Sequence, residues 1–303
     1  MILLIALSIV VVAAIGVGIY LLAGNDDNDN NDNNTDNTET GGVVEYTVTV
    51  LTPLGAPVSD VLVSVHHDNG SDYNVCTQPI TTNASGKAVF SLESGKQYSV
   101  GLMGYPSVFS AKSGNNRAER YALDSTSTVI TLGTNDSANP SSYSIGDFMA
   151  NFTITDIDGN SYELYELLET KKAVVLNYWF YNCDPCRSEF PAMNSSYNTH
   201  KDSMALFALN DLDSLSTVQR YESDKGLSLD MPLVKISGTS QVSSDHFDTR
   251  GYYPATIVIN CYGQIAYAHS GSVPSVAVWN ALFDYFTADS YNGGFVTDIN
   301  DIL

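Results

Sequence analysis

Residues 174–191, VVLNYWFYNCDPCRSEFP, decide how the rest of the chain is read. Residues 173–180 are almost continuously apolar, as a strand buried on both faces should be. That strand runs into Cys183-Asp184-Pro185-Cys186, and a helix is expected to begin inside the motif. At a helix N-terminus the unpaired backbone N–H groups and the macrodipole favour negative charge, so Cys183 is placed to ionise. The thiolate is the reactive form of cysteine. Cys186 is expected one turn deeper and better shielded, placed to attack a mixed disulfide formed at Cys183. Pro185 removes a backbone donor where the first helical turn needs none, and it stiffens the loop. Pro191 should kink the helix.

Composition narrows the alternatives. A chain of 303 residues with 44% hydrophobic residues builds about two ordinary domains plus attachments. Thirteen Lys and Arg against 34 Asp and Glu give a net charge of −21. A protein that tracks a phosphate backbone needs a cationic footprint, so nucleic acid is excluded as a partner. The four cysteines are Cys76, Cys183, Cys186 and Cys261, which makes one special pair and no disulfide framework. No further ligands lie near the pair as a zinc site requires, so neither metal nor cofactor is expected.

Residues 1–24 contain the apolar run ILLIALSIVVVAAIGVGIYLLA, long enough to cross a bilayer as a helix and longer than a signal-peptide core. An uncleaved anchor is expected, with the bulk of the chain translocated; a long cleaved signal is the alternative. Residues 25–42, rich in Asn and Asp, read as a solvated, self-repelling tether. Residues 43–133 carry short alternating runs separated by Pro53-Leu54-Gly55, Asn69-Gly70, Ser85-Gly86 and Ser94-Gly95, the pattern of a small antiparallel β-sandwich. His66, His67 and Cys76 are expected to be exposed strand-end residues rather than metal ligands. Residues 134–142, TNDSANPSS, read as a short linker. Residues 143–289 then alternate strand and helix, which predicts a mainly parallel sheet covered by helices, and residues 290–303 read as a C-terminal tail. Within that part, strands are expected at 204–209, 232–236, 255–260 and 264–268, an amphipathic segment at 162–168, and a closing helix at 275–286.

Two resemblances follow from these residues. The turns of residues 53–58 and the run of residues 81–90 resemble transthyretin-like and collagen-adhesin-B-like sandwiches, which implies a spacer or binding platform. The absence of Lys between residues 43 and 65 counts against the internal Lys–Asn crosslink of some relatives. Residues 143–288 resemble extracytoplasmic thioredoxin-fold thiol–disulfide oxidoreductases of the redoxin type, typified by cytochrome c maturation and spore-related reductases. The likeness rests on Asn177-Tyr178-Trp179-Phe180, on residues 183–191, and on Gly251-Tyr252-Tyr253-Pro254-Ala255-Thr256. It implies an α/β thioredoxin fold, with a central mixed sheet flanked by helices, behind the sandwich and the transmembrane helix. It also implies a cis Tyr253–Pro254 bond that presents the Tyr253 backbone to a substrate chain, with Trp179 and Pro185 completing the substrate-positioning set. Cytosolic thioredoxins carry a buried Asp six residues before the first cysteine; Asn177 stands there and cannot titrate. Glu189 matches the glutamate of the membrane-anchored reductases and is expected to tune the thiols and carry a proton for Cys186.

The expected function is thiol–disulfide exchange through Cys183 and Cys186 outside the cytoplasm, in the reducing direction. Partners would be protein disulfides, a membrane or extracytoplasmic thiol donor, and the membrane itself. Alternatives are a disulfide-forming oxidase, a thiol peroxidase on the same fold, and a surface adhesion protein with a vestigial redox domain. The peroxidase requires a Pro-x-x-x-Thr-type turn that residues 178–182 lack. Cys261 is expected to be a free, semi-buried thiol.

Overall fold

The computed structural model describes residues 42–67, 77–112, 119–247, 249 and 251–303. The expected membrane anchor, nearly all of the acidic tether, the Asn69-Gly70 turn and Cys76 lie outside the described residues. The chain divides after Thr40, and every described element belongs to the unit Gly41–Leu303.

Alternating apolar and polar residues build the N-terminal part, since successive side chains of a strand point to opposite faces. Nine strands form three sheets: β1 (Val43–Leu51), β2 (Leu62–His67), β3 (Ile80–Thr81), β4 (Lys87–Glu93), β5 (Tyr98–Met103), β6 (Phe109–Ser110), β7 (Tyr121–Ala122), β8 (Ser127–Thr131) and β9 (Gly133–Thr134). The orders are β4-β1-β8, β3-β2-β5-β7 and β6-β9. In β4 the alternation is strict: Ala88, Phe90 and Leu92 are buried and their neighbours exposed. In β2 both faces are covered, and His66 is buried with its Nε2 3.0 Å from Ser64 Oγ. His66 is therefore a core residue, contrary to the exposed strand end expected. The run of β-branched neighbours hides the fact that this strand has no solvent face.

The C-terminal part comprises β10 (Thr153–Thr155), β11 (Ser161–Glu163), α1 (Leu164–Leu168), β12 (Ala173–Tyr178), α2 (Asp184–His200), β13 (Met204–Asn210), α3 (Leu215–Gln219), α4 (Tyr221–Lys225), β14 (Leu233–Lys235), β15 (Ala255–Asn260), β16 (Ile265–Ser270) and α5 (Val276–Thr287). Five of these strands make a mixed sheet of order β14-β13-β12-β15-β16, with β12 central, parallel to β13 and antiparallel to β15. Every residue of β12, β13 and β15 is buried. The two faces of the sheet feed two cores. Val175, Leu206 and Val258 pack with Phe190 and Met193 of α2 and with Trp279, Phe283 and Phe286 of α5. Val174, Leu176, Phe207 and Ile257 point the other way, into a core that continues through Leu164 and Met149 to Phe109, Phe90, Val63 and Val48 of the N-terminal part.

The two parts thus share one apolar core, with the Phe109 and Phe148 rings edge to face at 5.1 Å across the join. The β15–β16 turn is built for the same approach. Gly263 has φ +79°, and a Cβ there would stand 3.3 Å from both Leu54 Cδ1 and Tyr165 Oη. The segment 134–142, read as a linker, is held at several points. Gln241 Nε2 donates to Ala138 O at 2.7 Å, His246 Nδ1 to Pro140 O at 2.8 Å, and Tyr143 N to His246 O at 2.7 Å. Residues 290–303 are likewise anchored, with Val296 buried and its N–H donating to Ala266 O at 2.8 Å. Helices α3 and α4 are absent from the sequence reading because five residues are too few to display a 3.6-residue period. Their ends are marked nonetheless: Ser214 caps α3 by accepting from Thr217 N, and Gly226 closes α4 at φ +62°.

Candidate active site

The buried strand β12 delivers the chain to the dithiol. Trp179 N still donates to Leu209 O at 3.0 Å, and then Cys183 N donates to Phe180 O at 3.1 Å to close the turn before α2. Cys183 is the N-cap residue of α2, its Sγ accepting from Cys186 N at 3.2 Å. Pro185 follows in the first turn, where no backbone donor is required. Cys183 and Cys186 are joined in a disulfide with Cα atoms 5.3 Å apart, and Cys183 alone of the two retains any exposure, 3%. Pro191 lies inside α2, where its ring cannot donate to the preceding turn.

Glu189 faces inward, although three residues after Cys186 a helical carboxylate is ordinarily solvated. It is fully buried. Its Oε1 accepts from Asn177 Nδ2 at 2.9 Å and its Oε2 from Val273 N at 2.9 Å. Asn177 Nδ2 also donates to Thr256 Oγ1 at 3.0 Å, which links β12, α2 and β15 through one amide. The pKa of Glu189 is pushed up to about 7, because burial outweighs the opposing effect of the Val273 and Asn177 hydrogen bonds. The groups around it are brought from strands β12 and β15 and from the loop after β16.

That loop also closes over the motif. Ser272 Oγ donates to Pro185 O at 2.9 Å and lies 3.1 Å from Ser188 Oγ. Gly271 N donates to Pro254 O at 2.8 Å. The Tyr253–Pro254 bond is cis. Tyr253 packs edge to face on Phe180 at 5.6 Å. Its hydroxyl donates to Asp211 Oδ1 at 2.8 Å. Burial and the neighbouring carboxylate raise the Tyr253 hydroxyl to about 12, so it stays a donor at neutral pH.

The structure therefore brings Cys183, Cys186, Pro185, Glu189, Tyr253 and Pro254 together at one end of the central strands. Trp179 is different. It is fully buried in the core beneath the motif, 4.3 Å from the Tyr221 ring and 5.6 Å from Phe190. It reaches no surface, so it supports the motif from below and does not contact a substrate. Thr256, Ser272, Val273 and Asp211 were not singled out as site residues from sequence, since residues on distant segments share no local pattern with the cysteines. Cys261 is free and half-buried, with its thiol pushed up by burial. Among the described residues no three His, Cys, Asp or Glu side chains gather as a metal site would require.

A disulfide at a helix N-cap, at the end of the central strand of a mixed sheet and beside a cis-proline loop, defines a thioredoxin-fold thiol–disulfide oxidoreductase. The family model described as AhpC/TSA matches residues 145–268. Thiol-disulfide oxidoreductase ResA of Halalkalibacterium halodurans is 36% identical over 129 residues, 42% of this chain and 69% of that protein. ResA of Bacillus subtilis is 29% identical over 137 residues, covering 45% and 73%. A solved thiol:disulfide interchange protein of the thioredoxin family from Chlorobium tepidum is 20% identical with a TM-score of 0.39, over 45% of this chain and 93% of that one. The chain belongs to the family of ResA-like thiol–disulfide oxidoreductases.

Proposed function

We propose that the protein reduces protein disulfides outside the cytoplasm, with Cys183 as attacking thiolate and Cys186 as resolving thiol. In the reduced state the Cys183 thiolate attacks one sulfur of a substrate disulfide. The substrate S–S bond breaks, one substrate sulfur leaves as a thiolate, and a mixed disulfide forms at Cys183. Cys186 then attacks Cys183 Sγ, the mixed disulfide breaks, and the second substrate thiolate leaves. Two electrons pass to the substrate, and the Cys183–Cys186 disulfide is the product. The observation that carries this reading is that bond at the N-cap of α2.

Glu189 is the proton carrier of this scheme. With a pKa of about 7 it holds or releases a proton at neutral pH, which a solvated carboxylate does not. Pro254 and the Tyr253 backbone align the substrate chain, and Pro185 keeps the motif loop stiff. The N-terminal part is a sandwich of the transthyretin-like kind acting as a spacer, and residues 1–24 anchor the chain in the membrane. The apolar run of residues 2–23 supports the anchor; among the described residues no helix is long and apolar enough to cross a membrane. Electrons come back from a membrane or extracytoplasmic thiol donor. The test is reduction of insulin or a model peptide disulfide by the full chain, with Cys183→Ser as control. Turnover that survives the substitution refutes the assignment, and a midpoint potential far above that of the glutathione couple refutes the reducing direction.

A further inference from the structure

Beside the dithiol stands a feature that the exchange chemistry leaves unused. In the central sheet Tyr178 lies opposite Leu209 on one side and Ala255 on the other. Residues 211–213 and 252–254 therefore emerge at the same end of the strands as residues 179–183. The first of these segments is Asp211-Leu212-Asp213, and both carboxylates are engaged by the protein. Asp211 Oδ1 accepts from Tyr253 OH at 2.8 Å, and Oδ2 accepts from Ser244 Oγ at 2.7 Å and Ser244 N at 3.2 Å. Asp213 Oδ2 accepts from Tyr181 N at 2.6 Å and from Asn210 Nδ2 at 2.8 Å, and Asp213 N donates to Asn210 Oδ1 at 2.8 Å. One aspartate is thus tied to the residue preceding Pro254, and the other to the residue two before Cys183.

Leu212, between them, is 62% exposed. A single exposed leucine is ordinary. This one is held from both sides on the segments that flank the dithiol. Two other large exposed side chains lie on or next to the same segments, Leu215 and Tyr252. The Phe180–Tyr253 ring pair adds further apolar surface at this end of the strands.

We propose that Leu212 is a specificity-determining residue for the exchange reaction, gripping an apolar side chain next to the reactive cysteine of the protein substrate. Asp211 and Asp213 are the positioning residues that hold it there. The inference rests on the exchange reading and names the substrate class it left open. The occupant is an extended polypeptide segment, because a chain must lie across this end of the strands while it is linked to Cys183. Its contact residue is apolar because the group presented there is the Leu212 side chain, with Leu215 and Tyr252 exposed on or next to the same segments.

The experiment uses the full chain and two peptide disulfides that differ only in the residue beside the cysteine, leucine in one and serine in the other. The readout is the ratio of kcat/KM for the two peptides within each variant, so that any change in the dithiol's own reactivity cancels. Wild type should favour the leucine peptide roughly tenfold, the difference lying in KM. Leu212→Ser should bring the ratio close to one. Asp211→Ala and Asp213→Ala should lower it with Leu212 intact, whereas Asp213→Asn, whose amide oxygen can take both donors that Asp213 Oδ2 accepts, should retain it. A wild-type ratio near one overturns the proposal, and so does a Leu212→Ser ratio equal to that of wild type. Failure of wild type to outpace Cys183→Ser on either peptide overturns the exchange reading instead.

Discussion

Replacing Glu189 by Gln should change how the stability of the oxidised protein depends on pH. In an unfolded chain this carboxyl titrates near 4.5, and in the folded protein burial moves it to about 7. Each tenfold change in proton affinity is worth about 1.4 kcal/mol, so the displacement corresponds to roughly 3 kcal/mol. Between these two values the folded state binds the proton and the unfolded state does not, so the contribution to stability falls as pH rises. It is fully present below about pH 4.5 and lost above about pH 7. A glutamine in this place would be neutral throughout. The site accommodates it, because Asn177 Oδ1 has no partner among the described residues, and a flipped Asn177 amide would accept from the new side chain. Urea unfolding of wild type and Glu189→Gln at pH 5 and pH 8 isolates the effect. Both carry the same background charge, so only the difference between the two slopes counts. Wild type should lose about 2.5 kcal/mol more than the variant between these pH values, since at pH 5 the unfolded carboxyl is already largely ionised. Parallel pH dependence of the two proteins would refute the buried, raised carboxyl and, with it, the proton-carrying role.

Asn177→Asp should put a second carboxyl against Glu189 Oε1, and like charges sharing a buried site raise one pKa strongly. The pH–rate profile of disulfide reduction should move upward by about 1–2 pH units relative to wild type, and an unmoved profile would count against Glu189 as the titrating group. Phe109→Ala opens the core shared by the N-terminal strands and the five-stranded sheet, at a cost of about 3–5 kcal/mol. Calorimetry should show one transition lowered as a whole; two transitions, with only the lower one moved, would mean that the two parts unfold independently. Tyr221 Oη is buried with no partner among the described residues, so Tyr221→Phe should be neutral or stabilising by up to about 1 kcal/mol in denaturant titrations. Cys186→Ala should accumulate substrate linked to Cys183, visible as a band that dithiothreitol removes.

The reactive pair and its setting are legible in the order of residues alone. An apolar run leading into Cys183-Asp184-Pro185-Cys186 has few structural solutions, because a strand buried on both faces must sit inside a covered sheet and a proline of this kind suits a helix start. Gly251-Tyr252-Tyr253-Pro254 was legible only through the family resemblance, since an X-Pro restricts the local backbone without marking a site. Glu189 was legible as a candidate through its spacing from Cys186, but not its burial. A solvated carboxylate and a fully buried one look alike in a helix whose outer face is polar. What covers Glu189 is Asn177 from β12 and the backbone of Val273 from a loop 84 residues away, and only the tertiary structure decides that they meet. The same holds for Trp179, whose place beside the motif suggested substrate contact. The alternation of β12 turns it into the core under α2 instead. Asp211 and Asp213 carried no signal beyond their position after a strand. Their partners Tyr253, Ser244 and Tyr181 lie 32–42 residues away in sequence, and a hydrogen bond over that separation is set by sheet order alone.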